Sequence, residues 1–528
     1  MKKIISVFLC AVMIFALAAP SYAANESENV PFVLVTGMNV LPLYKDGGTE
    51  AYQKIWPMTG NSVASLAAKL VLPLTRLALT KDYAAFNKSV LPALCDTFDY
   101  MRCDENGDSV YNVSTPLFPE SMAQYPELYA GEEKDEQGIL NAACQKYGAE
   151  NVYFLNYDWR LDPLEHADSL NDMIEYVKKD RGCDKVNLAC CSMGGTVTMS
   201  YLYKYGSASV KNLLILSTAF QGVTAVGDMF GGELYVDKDS ALRRVINLGK
   251  GDLKEFIFEA LTYAIDKAGL ADWVCDLANG LIEGMGDELY NGFLKEVFGT
   301  MPGLWDLVAA EDYENAKAYM LASEKNALLI KRTDEYIYSV QTKAKDILDG
   351  AKQCGSNVYI VCQYNMQALP VSHNSALNND LLIDTKFASG GAICADLGKT
   401  LGDGYVQAID DSHNHLSPDG VIDASTCMYP ENTWFIKDQA HVHYNVGETT
   451  DFIFTLADSE KQLTIFDNEN YTQFMKYDYD ENTLTAMTSS YVENPSAFET
   501  LVSVINYICP IIKSAIIKIL DFIISEVL

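Results

Sequence analysis

Blocks of consecutive apolar residues punctuate this chain at long intervals. They are Phe32-Val33-Leu34-Val35, Asn151-Val152-Tyr153-Phe154-Leu155, Lys185-Val186-Asn187-Leu188-Ala189, Lys211-Asn212-Leu213-Leu214-Ile215-Leu216-Ser217, Asn357-Val358-Tyr359-Ile360-Val361-Cys362 and Thr433-Trp434-Phe435-Ile436-Lys437. Each is too short for a helix, and most lack the alternation of a half-exposed strand, so they read as strands buried on both faces. Between them the spacing turns helical: from about 61 to 98 (Leu66, Leu70, Leu77), near 167–180, and from Thr196 to Gly206, where the glycine supplies a C-cap. Strand alternating with helix predicts the α/β class with a mostly parallel sheet. From about 223 to 350 the pattern is helical and irregular, with Met285, Leu289 and Phe293 four apart on one face. That stretch reads either as extra core or as an insertion that caps a pocket. The last thirty residues form an amphipathic pattern. Ser514, Lys518, Asp521 and Ser525 share one face, and Ile508, Ile512, Ile516, Ile519 and Ile523 another.

One junction carries chemistry. Leu188-Ala189-Cys190-Cys191-Ser192-Met193-Gly194-Gly195-Thr196 leads from a strand through a sharp turn into a helix, with Ser192 at the apex. Such a turn is the nucleophile elbow of the α/β-hydrolase fold, in which small neighbours let strand and helix approach closely. Cys190 stands where the usual G-x-S-x-G motif has its first glycine.

Composition narrows the setting. Met1-Lys2-Lys3, an apolar run from Ile4 to Ala19 and Ser21-Tyr22-Ala23 have the layout of a secretory signal peptide cleaved after Ala23, which predicts a secreted protein. The chain has 528 residues, more than one minimal core needs, so a large domain with insertions or two domains is expected. A net charge of −32 offers no basic stripe and argues against nucleic acid and against simple attraction to anionic lipid. Of thirteen cysteines, Cys10 leaves with the leader. Cys95 and Cys103 are close enough for a small loop, and no C-x-x-C or Cys/His zinc spacing occurs. Asp104-Glu105-Asn106-Gly107-Asp108 and Asp478-Tyr479-Asp480 lack the full calcium-loop pattern and read as solvated loops. No metal or organic cofactor is expected.

A serine nucleophile needs a base, and the base an orienting acid, in the chain order Ser, Asp or Glu, His. His166 precedes Ser192, His373 follows its strand too closely, and His413 and His415 lie in a polar run. His441, on the loop after Thr433–Lys437, is the expected base, with His443 the competitor. Asp419, ahead of a glycine turn, is the expected acid. Asp403 and then Asp423 compete with it. Two backbone amides should hold the oxyanion: that of Met193, after the nucleophile, and that of Met38, or alternatively Asn39, on the loop that Gly37 frees after the first strand.

Taken together, these segments resemble the lecithin:cholesterol acyltransferase family, which includes the lysosomal phospholipase. Val33-Leu34-Val35-Thr36-Gly37-Met38 is similar to its opening strand and oxyanion turn, with Thr36 where proline is usual. Tyr157-Asp158-Trp159-Arg160-Leu161-Asp162-Pro163 is similar to its Y-D-W-R-x-x-P signature, and Leu216–Gly222 to its L-G-A-P-W-G-G segment. Asp419-Gly420-Val421-Ile422 resembles its D-G-T-V segment, as does Gly402-Asp403-Gly404-Tyr405-Val406. His441 takes its histidine position. The resemblance spans roughly residues 30 to 445. It implies an α/β-hydrolase domain over 24–445 with a lid near 57–130 and a helical, membrane-facing cap near 223–350. Residues 446–528 would be a C-terminal extension. It also implies acyl-ester cleavage on lipid, at a membrane or lipid-aggregate surface, with transfer to water or an alcohol. A soluble carboxylesterase or peptidase on the same fold and a non-catalytic secreted binding protein are the rival expectations.

Overall fold

The computed structural model describes residues 30–491, 496 and 502, apart from 39, 48, 50–51, 130–134, 323, 411 and 445–446. The expected leader and the amphipathic tail beyond 502 lie outside the described residues, as does Asn39.

Eight strands build the central sheet: β1 (Phe32–Val35), β2 (Val152–Leu155), β3 (Val186–Ser192), β4 (Val210–Thr218), β5 (Asn357–Tyr364), β6 (Thr433–Lys437), β7 (Phe474–Asp478) and β8 (Thr483–Ala486). Their order is β8-β7-β6-β5-β4-β3-β1-β2. Every neighbouring pair is parallel except the β7–β8 hairpin. The helices that position and cover the site are α1 (Gly60–Thr80), α2 (Tyr83–Phe98), α3 (Asp135–Tyr147), α4 (Pro163–Arg181), α5 (Gly194–Tyr205), α6 (Lys238–Ile246), α7 (Asp252–Lys267), α8 (Leu270–Leu289), α9 (Ala344–Gln353) and α10 (Glu448–Ala457).

The apolar runs are continuous because helices cover both faces of the sheet, and the strand period of two deals alternate residues to opposite cores. Val33, Val35, Leu188, Cys190, Leu213, Ile215, Val358 and Ile360 pack with α4, α5 and α9. Their neighbours Phe32, Leu34, Ala189, Cys191, Leu214, Leu216, Tyr359 and Val361 pack with α3 and α10. Local signals set the helix ends. On α4 the Asp162 carboxylate accepts from Leu164 N–H at the N-cap, Pro163 occupies the first turn, Gly182 closes the C-terminus in a left-handed conformation, and Lys178, Lys179 and Arg181 complement the last turn.

Between β1 and β2 the chain makes the α1–α2 hairpin, and between β4 and β5 it inserts α6, α7 and α8. The two excursions meet: Tyr83 of α2 lies against Gly280 and Gly284 of α8, where a Cβ would stand 2.7 Å from its hydroxyl and 2.4 Å from its ring, respectively. Leu77, Phe86 and Val90 pack there with Leu281 and Leu289. Past residue 447 the chain still contributes to the sheet: β7 pairs with β6, stacking Phe474 on Phe435 at 5.2 Å, and α10 covers one face. Without β7, the wholly buried β6 would be an open edge. Among the described residues no helix is long and apolar enough to cross a membrane, and no cluster of three or more His, Cys, Asp or Glu could hold a metal ion. Cys95 and Cys103 are both free thiols.

Candidate active site

The strand, sharp turn and helix around Ser192 form as the sequence predicts. Ser192 ends β3 with φ = 54°, a left-handed conformation that a side-chain-bearing residue holds only under constraint from its surroundings. The two glycines after Met193 are required by space. A Cβ on Gly194 would lie 2.4 Å from the Val35 carbonyl oxygen, and one on Gly195 2.6 Å from the Thr218 side chain. The segment after β1 therefore sits directly on the start of α5. Ala219 N–H donates to the Ser192 carbonyl at 3.1 Å, tying the elbow to the end of β4.

His441 hangs from β6. Its Nε2 lies 2.9 Å from Ser192 Oγ, and its Nδ1 lies 2.7 Å from Asp380 Oδ2. Asp380 follows β5. Its other oxygen, Oδ1, accepts from Leu382 N–H at 3.0 Å and Ile383 N–H at 2.8 Å, and its carbonyl accepts from His441 N–H at 2.8 Å. The carboxyl is 1% exposed and the imidazole 8%. Leu381 (φ = 98°) and Val442 (φ = 52°) directly follow the acid and the base. All three arms thus carry a left-handed residue at or beside the side chain that joins the hydrogen-bonded line.

The carboxylate that meets His441 is therefore Asp380 and not the expected Asp419. Asp419 Oδ2 accepts from Lys437 Nζ at 3.0 Å and from Tyr364 Oη at 3.0 Å, and Oδ1 from Ser417 Oγ at 2.6 Å. Lys437 and Asp419 are 1% and 3% exposed, so this carboxylate is consumed in neutralising a buried ammonium. Asp403 is exposed, and Asp423 caps its own loop, accepting from Tyr405 Oη, Ala408 N–H and Ser425 N–H. The other histidines are accounted for. His443 packs on Tyr477 and Tyr479, His415 Nδ1 meets Gln473 Oε1 at 2.9 Å, His413 lies on Phe466, His373 stacks on Tyr235, and His166 Nε2 meets the Asp158 carbonyl at 2.8 Å.

Supports radiate from the triad. Tyr479 Oη accepts from Ala440 N–H at 2.7 Å, immediately before the base. Arg244 of α6 donates to the carbonyls of Leu381 and Gln367 at 2.6 and 2.9 Å, so the insertion clamps the acid loop. Beneath, Gln363 of β5 contacts Ser217 Oγ, donates to Tyr444 Oη at 2.9 Å and accepts at its carbonyl from Thr385 Oγ1 at 3.0 Å, linking the β4, β5 and β6 loops.

The Tyr157–Arg160 signature shores up the other side. Tyr157 Oη donates to the Thr36 carbonyl at 2.9 Å. Asp158 takes the Arg160 guanidinium bidentately, and Arg160, fully buried, also donates to the Met101 carbonyl and Ser109 Oγ. Met193 stands at the N-terminus of α5, where backbone N–H groups have no intrahelical acceptor. Met38 follows Thr36 on the segment that rides over Gly194.

No family model matches this chain. No curated protein matches it either. Among solved structures it is similar to a chain of the Tle4–Tli4 complex, with 16% identity, 38% of this chain and 48% of that chain covered, and a TM-score of 0.19. A likeness that loose carries no argument.

Proposed function

We propose that this chain is a secreted serine acyl hydrolase or acyltransferase of the α/β-hydrolase type, acting on lipid esters through an acyl-enzyme. The observation that carries the reading is the continuous hydrogen-bonded line Ser192–His441–Asp380 at the C-terminal ends of β3, β6 and β5, with 2.9 and 2.7 Å links. Nucleophile, base and orienting acid in contact, in the chain order of this fold, are what acyl transfer requires. The preference for lipid is supported by large apolar side chains that the excursions leave exposed, among them Leu72 and Leu79 of α1 and Trp273 of α8.

In this reading Ser192 Oγ attacks the ester carbonyl carbon while His441 Nε2 takes the serine proton. Asp380 holds Nδ1–H, fixing the tautomer and stabilising the imidazolium. The oxyanion is held by the amide N–H of Met193 and one from the segment ending at Met38. Collapse breaks the bond to the alcohol, which leaves with the proton from His441. Water or an acceptor alcohol then gives a proton to His441 and attacks the acyl-serine; collapse breaks the acyl bond to Ser192 Oγ, which takes that proton back from His441 as the acid or new ester leaves. No step calls for a metal or an organic cofactor.

A fluorophosphonate probe tests the reading. Stoichiometric labelling at Ser192, lost in Ser192→Ala, together with release of fatty acid from phospholipid vesicles, is expected. An unlabelled, correctly folded protein would overturn catalysis. Cleavage of short soluble esters but never of vesicles would move the substrate to the carboxylesterase class.

A further inference from the structure

Helix α7 has two dissimilar faces. Phe256 and Glu259 line an open cleft of about 1010 Å3, whose other walls include Met366 after β5, Lys437 of β6 and Tyr477 of β7. Around the helix from them, at spacing four, Leu253, Ile257 and Leu261 are 73, 51 and 49% exposed. Leu270, Trp273 and Val274, just past the turn into α8, are exposed to a similar degree. So many large apolar side chains on one helix pair call for a cover.

The chain itself leads to α7, reaching it on the cleft-lining face. Ser496 Oγ donates to the Glu259 carboxylate, at 2.9 and 2.8 Å from its two oxygens, so residue 496 is fastened to the middle of α7. The segment 503–528 lies within a few residues of that anchor. It carries isoleucines at 508, 512, 516, 519 and 523, and its four charges, Lys513, Lys518, Asp521 and Glu526, cancel. As a helix at 1.5 Å per residue, the stretch after Pro510 would run about 27 Å, close to the roughly 24 Å of α7. A tethered segment also competes at millimolar effective concentration, on the order of what no dilute second copy reaches. An anionic lipid surface is disfavoured by the net charge of −32 and by Asp252, Glu255 and Glu259 on α7 itself.

We infer that residues 503–528 fold back as an amphipathic helix on the Leu253–Ile257–Leu261 stripe of α7, with the Ser496–Glu259 contact as the hinge. This contact is independent of the proposed catalysis.

The test uses the full-length protein carrying the photo-reactive residue benzoylphenylalanine in place of Leu261. Irradiation should give an adduct within residues 503–528 at monomer mass, abolished by Ile516→Asp with Ile519→Asp. In parallel, trypsin should cut after Lys513 and Lys518 about tenfold faster in Ile257→Asp/Leu261→Asp than in the parent, as for a site whose opening equilibrium governs cleavage. Leu79→Asp, on α1, should leave that rate unchanged. Adducts at dimer mass, adducts only to added neutral phosphatidylcholine vesicles, no adduct, or equal cleavage rates in parent and variant would each overturn the inference.

Discussion

Replacing Asp380 by Asn separates the proposed acid from Asp419. The Oδ1 position can keep accepting from Leu382 and Ile383 N–H, so the loop has no reason to move. The amide NH2 then faces His441 Nδ1, now 2.7 Å from Asp380 Oδ2. Facing a donor, Nδ1 must become the acceptor, and the ring proton shifts to Nε2, which can no longer take the proton of Ser192. That tautomeric change costs about 10⁴-fold in kcat, or roughly 5.5 kcal/mol of barrier, in triads of this kind. Asp419→Asn acts oppositely. It strands the Lys437 ammonium at 1% exposure, and removing one partner of a buried pair costs on the order of 3–5 kcal/mol of stability. Ester turnover per fluorophosphonate-titrated site, measured alongside thermal unfolding, resolves the two. Asp380→Asn should be folded and almost inert, whereas Asp419→Asn should be unstable and, below its lowered Tm, nearly normal per site. An active Asp380→Asn enzyme, or an inert Asp419→Asn enzyme of parental stability, would refute the assignment.

Burial pushes the Asp162 carboxyl up to about 6, against which the Leu164 N–H bond pulls only partly. The native state therefore keeps a proton that the unfolded chain releases near pH 4, so stability falls as pH rises between those values, by up to about 3 kcal/mol, and stays level above them. Asp162→Asn, which preserves an N-cap acceptor, should raise Tm at pH 7 and leave it unchanged at pH 3.5, as scanning calorimetry would show. Tyr157→Phe removes the donor to the Thr36 carbonyl and should cost roughly 0.5–1.5 kcal/mol in urea unfolding, with kcat falling more than KM rises because the Thr36–Met38 segment loses its brace. Gly194→Ala drives a methyl to 2.4 Å from the Val35 carbonyl and should abolish fluorophosphonate labelling in the protein that still folds.

Much of this architecture was legible in the chain. The buried runs at 32–35, 152–155, 186–192, 210–218, 357–364 and 433–437 announce themselves because strands covered on both faces cannot alternate. The meeting of Ser192 with His441 was legible because a tight strand-to-helix turn needs small residues around its apex, and a histidine after a late strand can reach it. Asp380 was not. It sits in Asn378-Asn379-Asp380-Leu381, where the decisive feature is the left-handed Leu381, a conformation leucine does not advertise. Asp-Gly at 419–420 is a true turn, but turn chemistry says nothing of which way a carboxylate points. The better signal was strand order: Asp380 follows β5 and His441 follows its neighbour β6. Strands β7 and β8 were missed because Lys476 and Asp478 dilute the apolar run of an outer strand.

The hydrogen bond from base to nucleophile joins residues 249 positions apart, whereas that from acid to base spans 61. By loop-closure entropy the longer link costs only about 1.2 kcal/mol more to form, so equilibrium barely registers the distance. The order of assembly does. A chain emerging from its N-terminus can complete β1 through β4, and with them the strained elbow, while the residues of β6 have yet to be made. In the proposed mechanism, until Thr433–Lys437 zips onto Ile360–Tyr364, Ser192 has no base and is an ordinary alcohol. Its reactivity would therefore be switched on by the pairing of a single late strand, and recovery of labelling would time that pairing during refolding.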